Sequence, residues 1–348
     1  MLRDEIVRRF PRLKTLRADS SYVVGGAIRD LMIGVEPADV DVACIDPLAC
    51  ARAISDRVIR LGTGDHLSAW RVVDGEHVYD FAEILDHDIA ADLARRDFTV
   101  NAMAVPLGGG EILDPHGGRA DLERGLVRMI APENLDDDPL RCLKAVRMAV
   151  TRGFEIDPAT IAAIHPRAPQ ITRIAAERVT YELSVIFSAL AFRRAVGLLH
   201  ATGLDVPLFG RQLDASGFHA DDVSLAGAFA LLAARPKAYA KLWRWSAELL
   251  REVTALQSLL GMTGDLRVAL YDAGENVARQ LPAVLRALGG DGNVAMPDFN
   301  TRALLSGDEI GKEGPEVGRI KRALLEAQIR GDIRTREEAA EFVERSRT

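Results

Sequence analysis

The stretch from Tyr22 to Asp41 constrains this chain more than any other. An apolar strand through Val23 and Val24 meets Gly25 and Gly26, a short helix carries Arg29, and a second strand begins with Asp39 and Asp41. Glycines have no Cβ, so backbone N–H groups beside them can approach a polyphosphate closely. The N-terminal end of the helix that follows favours an anion, and Arg29 adds a positive charge. Asp39 and Asp41 are two positions apart, so on a strand both side chains project from the same face. Two neighbouring carboxylates repel each other unless a cation lies between them. The usual cation with phosphate substrates is octahedral, oxygen-seeking Mg²⁺. In a two-metal site one ion activates the attacking hydroxyl and the other neutralises the leaving pyrophosphate. A glycine pair alone is a turn, and an Asp pair alone is a solvated strand end. Their coincidence on consecutive elements points to phosphate chemistry.

The rest of the chain is ordinary in composition. Its 348 residues exceed one compact domain and predict two or three units. The 48% hydrophobic and 27% charged residues argue against disorder and low complexity. The longest purely apolar stretch, Leu225 to Ala234, is ten residues long, against roughly 20 for a membrane span, so no membrane partner is expected. The opening Arg3, Asp4 and Glu5 do not read as a secretory leader. Cys44, Cys50 and Cys142 are odd in number and lack metal-ligand spacing, which fits the reducing cytoplasm and no disulfide framework. A net charge of −7 means that any nucleic-acid partner is held by a local basic surface.

Short β-rich runs at Tyr22 to Val24, Val40 to Ala43, Trp70 to Val73, His77 to Phe81 and Thr99 to Pro106 make the first part α+β. From Pro139 onward apolar residues recur at helical spacing, as in Leu140, Leu143, Val146 and Val150. Pro132, Asn134 and the Asp136 to Asp138 run mark a boundary near residue 135. Further breaks are expected at Pro207 to Gly217 and Gly289 to Pro297. No internal repeat of roughly 20 to 50 residues is present, which argues against a solenoid.

The Tyr22 to Asp41 segment resembles the signature of the class II tRNA nucleotidyltransferase and bacterial poly(A) polymerase family. Arg95 to Ala102 is similar to the family's second motif, and Asp114 to Gly118 with Asp121 and Leu122 to its connecting segment. Asp137 to Arg141, running on to Arg147, resembles its base-reading motif. Leu304 to Gly307, and Gly314 to Gly318 through Arg336 to Ala339, resemble its C-terminal helical region. The resemblance implies an α+β, DNA polymerase β-like nucleotidyltransferase head over residues 1–135. A mostly all-α neck (136–200) for base recognition would follow, then a body and tail (201–348) for RNA binding. The implied activity is template-independent addition of C, and of A if synthesis is complete, to the tRNA 3′ end from CTP and ATP with release of pyrophosphate. By the same resemblance Asp39 and Asp41 hold Mg²⁺, and Gly25, Gly26 and Arg29 hold the triphosphate. Arg96 contacts the nucleotide, Asp97 holds its ribose, and Asn101 assists near the phosphates. Asp80 stands where the family often has a third catalytic acid; it reads equally as a polar residue on an edge strand.

Base choice can be argued from the residues themselves. Cytosine and adenine both present an exocyclic amine donor beside a ring-nitrogen acceptor, and uracil and guanine present the reverse. Asp138 accepting from the amine and Arg141 donating to the ring nitrogen, neighbours on one helical face, would replace a template. Asp138 also fits as the N-cap of a helix starting at Pro139; a carboxylate has two oxygens, and both readings stand. Arg141, Lys144 and Arg147 form one stripe, read either as part of the nucleotide site or as a solvated charged face. Asp137 replaces the family's usual Glu, and Lys144 its usual Arg, which keeps the charge without the planar fork. Only Ala82 to Ala94 joins Phe81 to Arg95, short and acidic where CCA-adding relatives carry a longer flexible, basic loop. A CC-adding-only enzyme is therefore an alternative, and so is a poly(A) polymerase, which shares the head and differs in primer. From other classes come a non-catalytic RNA-binding protein and a small-molecule nucleotidyltransferase. Asp86, His87 and Asp88 read as a solvated loop, Trp243 and Trp245 as packing, His165 and His200 as structural, and Arg334 to Glu338 as a solvated helix. No protein partner is inferred.

Overall fold

A computed structural model describes residues 2–16, 20–61, 69–84, 87–311 and 314–347. Two compact units emerge, Met1–Ile174 with Ala201–Pro207, and Ala175–His200 with Leu208–Thr348. The chain thus leaves the first unit after Ile174, returns at Ala201, where Gly203 comes against the His165 ring, and leaves again after Pro207.

The first unit is built on a six-stranded sheet. Its strands are β1 (Ser21–Val24), β2 (Asp39–Cys44), β3 (Ile59–Leu61), β4 (Ala69–Asp74), β5 (His77–Glu83) and β6 (Ala104–Pro106), in the order β3-β4-β5-β2-β1-β6. Only β2 and β5 run parallel; the other neighbours are antiparallel. Around the sheet lie α1 (Leu2–Arg9), α2 (Gly26–Met32), α3 (Pro47–Ile54), α4 (Ile89–Ala94), α5 (Gly118–Glu123), α6 (Glu133–Asp137), α7 (Leu140–Arg152) and α8 (Pro158–Ile164). A small parallel pair, β7 (Leu126–Val127) and β8 (Glu155–Ile156), completes the unit.

Alternation explains β2: Val40 and Val42 are fully buried on one side, which leaves Asp39 and Asp41 to the other. α3 starts where Asp46 accepts from the Ala49 N–H and Pro47 takes the first helical position. Leu140, Leu143, Val146 and Val150 are all buried, as their spacing predicts. The expected strand Thr99 to Pro106 is corrected: Thr99–Asn101 is a 3₁₀ turn and only Ala104–Pro106 is strand. The Thr99 hydroxyl donates to Asp121 (2.8 Å) and its N–H to the Arg128 carbonyl (2.9 Å), which holds the chain off the sheet at that point. The Asp136 to Asp138 run is likewise not all turn, since Asp136 and Asp137 complete α6. By packing, residues 136–174 belong with the sheet-bearing unit.

The second unit is helical. Its core includes Phe187, Phe192 and Phe229, with Trp245 stacked on Phe229 at 4.3 Å and 5° between planes. Trp243 is also buried and donates from its indole nitrogen to the Leu208 carbonyl (3.2 Å), so both tryptophans pack as expected. A further apolar cluster, including Ile310, Leu324, Ala339 and Val343, closes the C-terminal helices. Among the described residues no helix is long and apolar enough to cross a membrane, and Cys44, Cys50 and Cys142 form no disulfide. Asp86 lies outside the described residues; Asp88 caps α4 by accepting from the Ala90 N–H (2.8 Å).

Candidate active site

Side chains converge along one row of the sheet. Val24, Asp41, Asp80 and Arg71 stand opposite one another on β1, β2, β5 and β4. Directly paired residues project to the same side, and Asp39 joins Asp41 there. Arg71 holds Asp80 with two parallel bonds, Nε to Oδ1 at 2.7 Å and Nη2 to Oδ2 at 2.6 Å. The edge-strand reading of Asp80 is therefore overturned: β4 and β3 lie outside β5. Strand order depends on which distant segments pair, and the local sequence of β5 does not encode it.

The acidic row is electrostatically loaded. Loss of hydration pushes the Asp41 carboxyl up to about 6; Asp39 and Asp80 push it the same way, while Arg96 and Lys144 oppose. Asp39 is raised too, first by lost hydration and then by Asp80, with Arg71 opposing.

The glycine turn abuts this row. Gly25 has φ +78°, a conformation that L side chains avoid. A Cβ there would lie 3.1 Å from Asp41 Oδ2 and 3.2 Å from Arg96 Nη1. The bare Cα thus lets the turn sit against the carboxylate and the guanidinium together. Gly26 faces its own helix's Arg29, 3.4 Å from where a Cβ would stand to Nη2. Arg96 is steadied by Asp92 of α4, one helical turn back, at 2.9 Å.

Arg29, Asn101 and Asp97 form a connected chain. Arg29 Nη1 donates to Asn101 Oδ1 (2.6 Å), and Asn101 Nδ2 donates to Asp97 Oδ1 (3.0 Å), which also accepts from the Phe98 N–H (2.8 Å). Buried Asp30 takes Arg29 Nε at 2.9 Å and Arg152 of α7 at 3.0 Å. Asp114 and Asp121 act structurally. Asp114 accepts from the Gly118 and Arg119 N–H groups at the start of α5. Asp121 takes Thr99 and Arg128.

At α7, Asp138 Oδ1 accepts from the Leu140 N–H (3.2 Å), the capping bond the sequence suggested. Arg141 Nη1 donates to the carbonyls of Arg95 (2.9 Å) and Asn134 (2.7 Å). Lys144 acts on Asp41 through its charge. Arg141, Lys144 and Arg147 are each half-buried, which overturns the solvated-face reading of their stripe. Sequence reasoning missed Arg71, Asp92 and Asn134. The Asp92 to Arg96 spacing could have been found by the i,i+4 rule; Arg71 required the hairpin register, and Asn134 carries no local signal.

Asp39 and Asp41 suit a divalent cation: two hard oxygen donors side by side, with Asp41's ionisation opposed by burial and by its acidic neighbours. Among the described residues no group of three or more His, Cys, Asp or Glu is placed to share one ion. Magnesium takes one or two carboxylates and completes its shell with water and substrate phosphate.

A mixed sheet with an acidic couple at its centre, a glycine turn against it and arginines around it defines a nucleotidyl-transferring head. The Poly A polymerase head domain matches residues 21–88 and 70–128. The region described as "Probable RNA and SrmB- binding site of polymerase A" matches 153–215. The chain is 32% identical to the A-adding tRNA nucleotidyltransferase of Deinococcus radiodurans, across 93% of this chain and 94% of that one. It is 38% identical to the CC-adding tRNA nucleotidyltransferase of Synechocystis, across 48% of this chain and 41% of that one. The crystal structure of the Bacillus stearothermophilus CCA-adding enzyme in complex with CTP superposes with a TM-score of 0.77 at 26% identity, covering 99% of this chain and 97% of that one. This chain belongs to the class II tRNA nucleotidyltransferase and poly(A) polymerase family, and it is a nucleotidyltransferase.

Proposed function

We propose that this enzyme adds C, and A where synthesis runs to completion, to the 3′ end of tRNA from CTP and ATP, without a template and with release of pyrophosphate. The observation that carries the reading is the setting of Asp41, which lies against Gly25 and feels the charges of Arg96 and of Lys144 on α7. Phosphate-side and base-side residues thus meet at one carboxylate. Asp39 and Asp41 would hold a divalent cation, magnesium on our reading, whose chemistry when bound is to polarise phosphate and make the attacking hydroxyl more acidic. Gly25 and Gly26 leave the turn open to the triphosphate, and Arg29 and Arg96 offset its charge as the ribose 3′-hydroxyl attacks the α-phosphate in line. Asp97 holds the incoming ribose and Asn101 orients Arg29. Asp80, through Arg71, completes the acidic row. Asp138 and Arg141 select the base, with Lys144 and Arg147 adding positive charge along the same helix. Residues 1–135 would act as the catalytic head and 136–200 as the base-reading neck. The body and tail, 201–348, would recognise the folded RNA by shape and backbone. The three unbridged cysteines support a reducing, cytoplasmic setting.

Two observations favour partial versions of this activity. The A-adding relative aligns almost end to end, which favours addition of A alone. The connection from β5 to Arg95 is short and contains the capped helix α4, which favours addition of CC alone. Incubating the purified protein with tRNA ending at the discriminator base, with tRNA ending in CC, and with oligo(A), each with CTP, ATP or both, separates them. A complete enzyme carries the first tRNA to CCA. A CC-adder stops at CC and leaves the second tRNA unextended. An A-adder extends only the second, and a poly(A) polymerase extends oligo(A). Absence of incorporation into any of the three RNAs overturns the proposal.

A further inference from the structure

We propose that Asn134 is a positioning residue that locks the nucleotide-binding turn to the base-selecting helix. It sits in α6 and is 7% exposed, and its role rests on the functional reading above. Its side-chain nitrogen donates to the carbonyls of Ala94 (2.8 Å) and Arg96 (2.7 Å). Between these two, the Arg95 carbonyl accepts from Arg141 Nη1 (2.9 Å), and the same nitrogen donates to Asn134's own carbonyl (2.7 Å). Three consecutive carbonyls at the end of α4 are therefore bonded from α6 and α7. Such carbonyls have no donor within their own helix, and a primary amide brings two N–H groups on one nitrogen, so one side chain can serve two of them.

The turn held in this way begins the segment that matters. Arg96 lies against Gly25, as Asp41 does, and Asp97 leads through Asn101 to Arg29. Arg141, the other arm of the clamp, is the proposed donor to the base. Asn134 thus fixes the distance between the groups that hold phosphate and ribose and the groups that read the base. Losing it frees Arg96 and Asp97 to move relative to α7, and misplacement of this kind weakens both nucleotide use and discrimination.

The test compares the full-length parent with Asn134→Ala and Asn134→Ser. Steady-state incorporation is measured with whichever of CTP or ATP the parent uses, then with UTP and GTP. Each variant is assayed at a temperature where circular dichroism shows it folded. The expected result is a nucleotide KM raised roughly tenfold in Asn134→Ala and discrimination reduced by a similar factor. The serine variant should fall between, because it keeps one donor, and the KM for tRNA should not change. A lower melting temperature with unchanged nucleotide KM and discrimination overturns the inference, as does a parallel loss in tRNA and nucleotide KM. If the alanine variant does not fold, the serine variant decides by the same criteria. A parent that incorporates nothing removes the functional reading and this inference with it. An active parent matched by its variants removes the inference alone.

Discussion

A single methyl group at Gly25 would crowd Asp41 and Arg96 together and sit on a backbone at φ +78°, which makes this position the most sensitive in the glycine turn. Gly25→Ala should cost about 1–3 kcal/mol from backbone strain alone, read from urea unfolding, and should abolish most nucleotide incorporation even where the protein stays folded. Asp41 gives a pH signature. Its carboxyl is raised from 3.8 to about 6 on folding, so the folded chain binds that proton more tightly than the unfolded chain does. Its contribution to stability is therefore fully present below about pH 4 and lost as pH rises through about 6. In metal-free buffer the parent should lose stability across that window relative to Asp41→Asn, and a slope shared by both would refute the assignment. The residues legible in the sequence were those whose chemistry is local. The carboxylates two apart, the paired glycines and the capping Asp138 announce themselves within a few positions. Asn134 does not, because its partners lie about forty residues upstream (separations of 40 and 38) and are backbone atoms.

Among the elements, β1, α2 and β2 were readable because alternation and turn chemistry agree there. β4 and β5 were readable as strands, but not the placing of β5 beside β2 with β4 outside it. The parallel β2 and β5 pairing, which sets Asp80 beside Asp41, is a non-local fact. The strands β3, β7 and β8 are two or three residues long, too short to show a period. The cross-sheet row makes its own prediction. Arg71→Ala leaves Asp80 without its two bonds beside two more carboxylates. We expect a loss of about 1–3 kcal/mol, measured by denaturant unfolding in the absence of metal. Added divalent cation should recover part of that loss, because it relieves the repulsion by another route. Equal losses with and without the cation would show that the row is not electrostatically coupled.

At the scale of the whole molecule, each unit buries apolar residues of its own, and damage to one should be legible in that one. Trp245 packs face to face on Phe229, and Trp245→Ala should destabilise by about 3–5 kcal/mol. Hydrogen exchange should then quicken across the Leu225–Leu232 and Ala247–Leu260 helices while β2 and β5 keep their protection. Uniform quickening in both units would mean that they unfold together. The route of the chain carries a further consequence. Because Ala201–Pro207 folds back among residues of the first unit, the two halves cannot be exchanged between homologues as beads on a string. A chimaera spliced once after Ile174 would inherit that seven-residue patch from the wrong parent. A faithful mosaic needs seams after Ile174, His200 and Pro207, so recombination between these genes would conserve the patch with the head it completes.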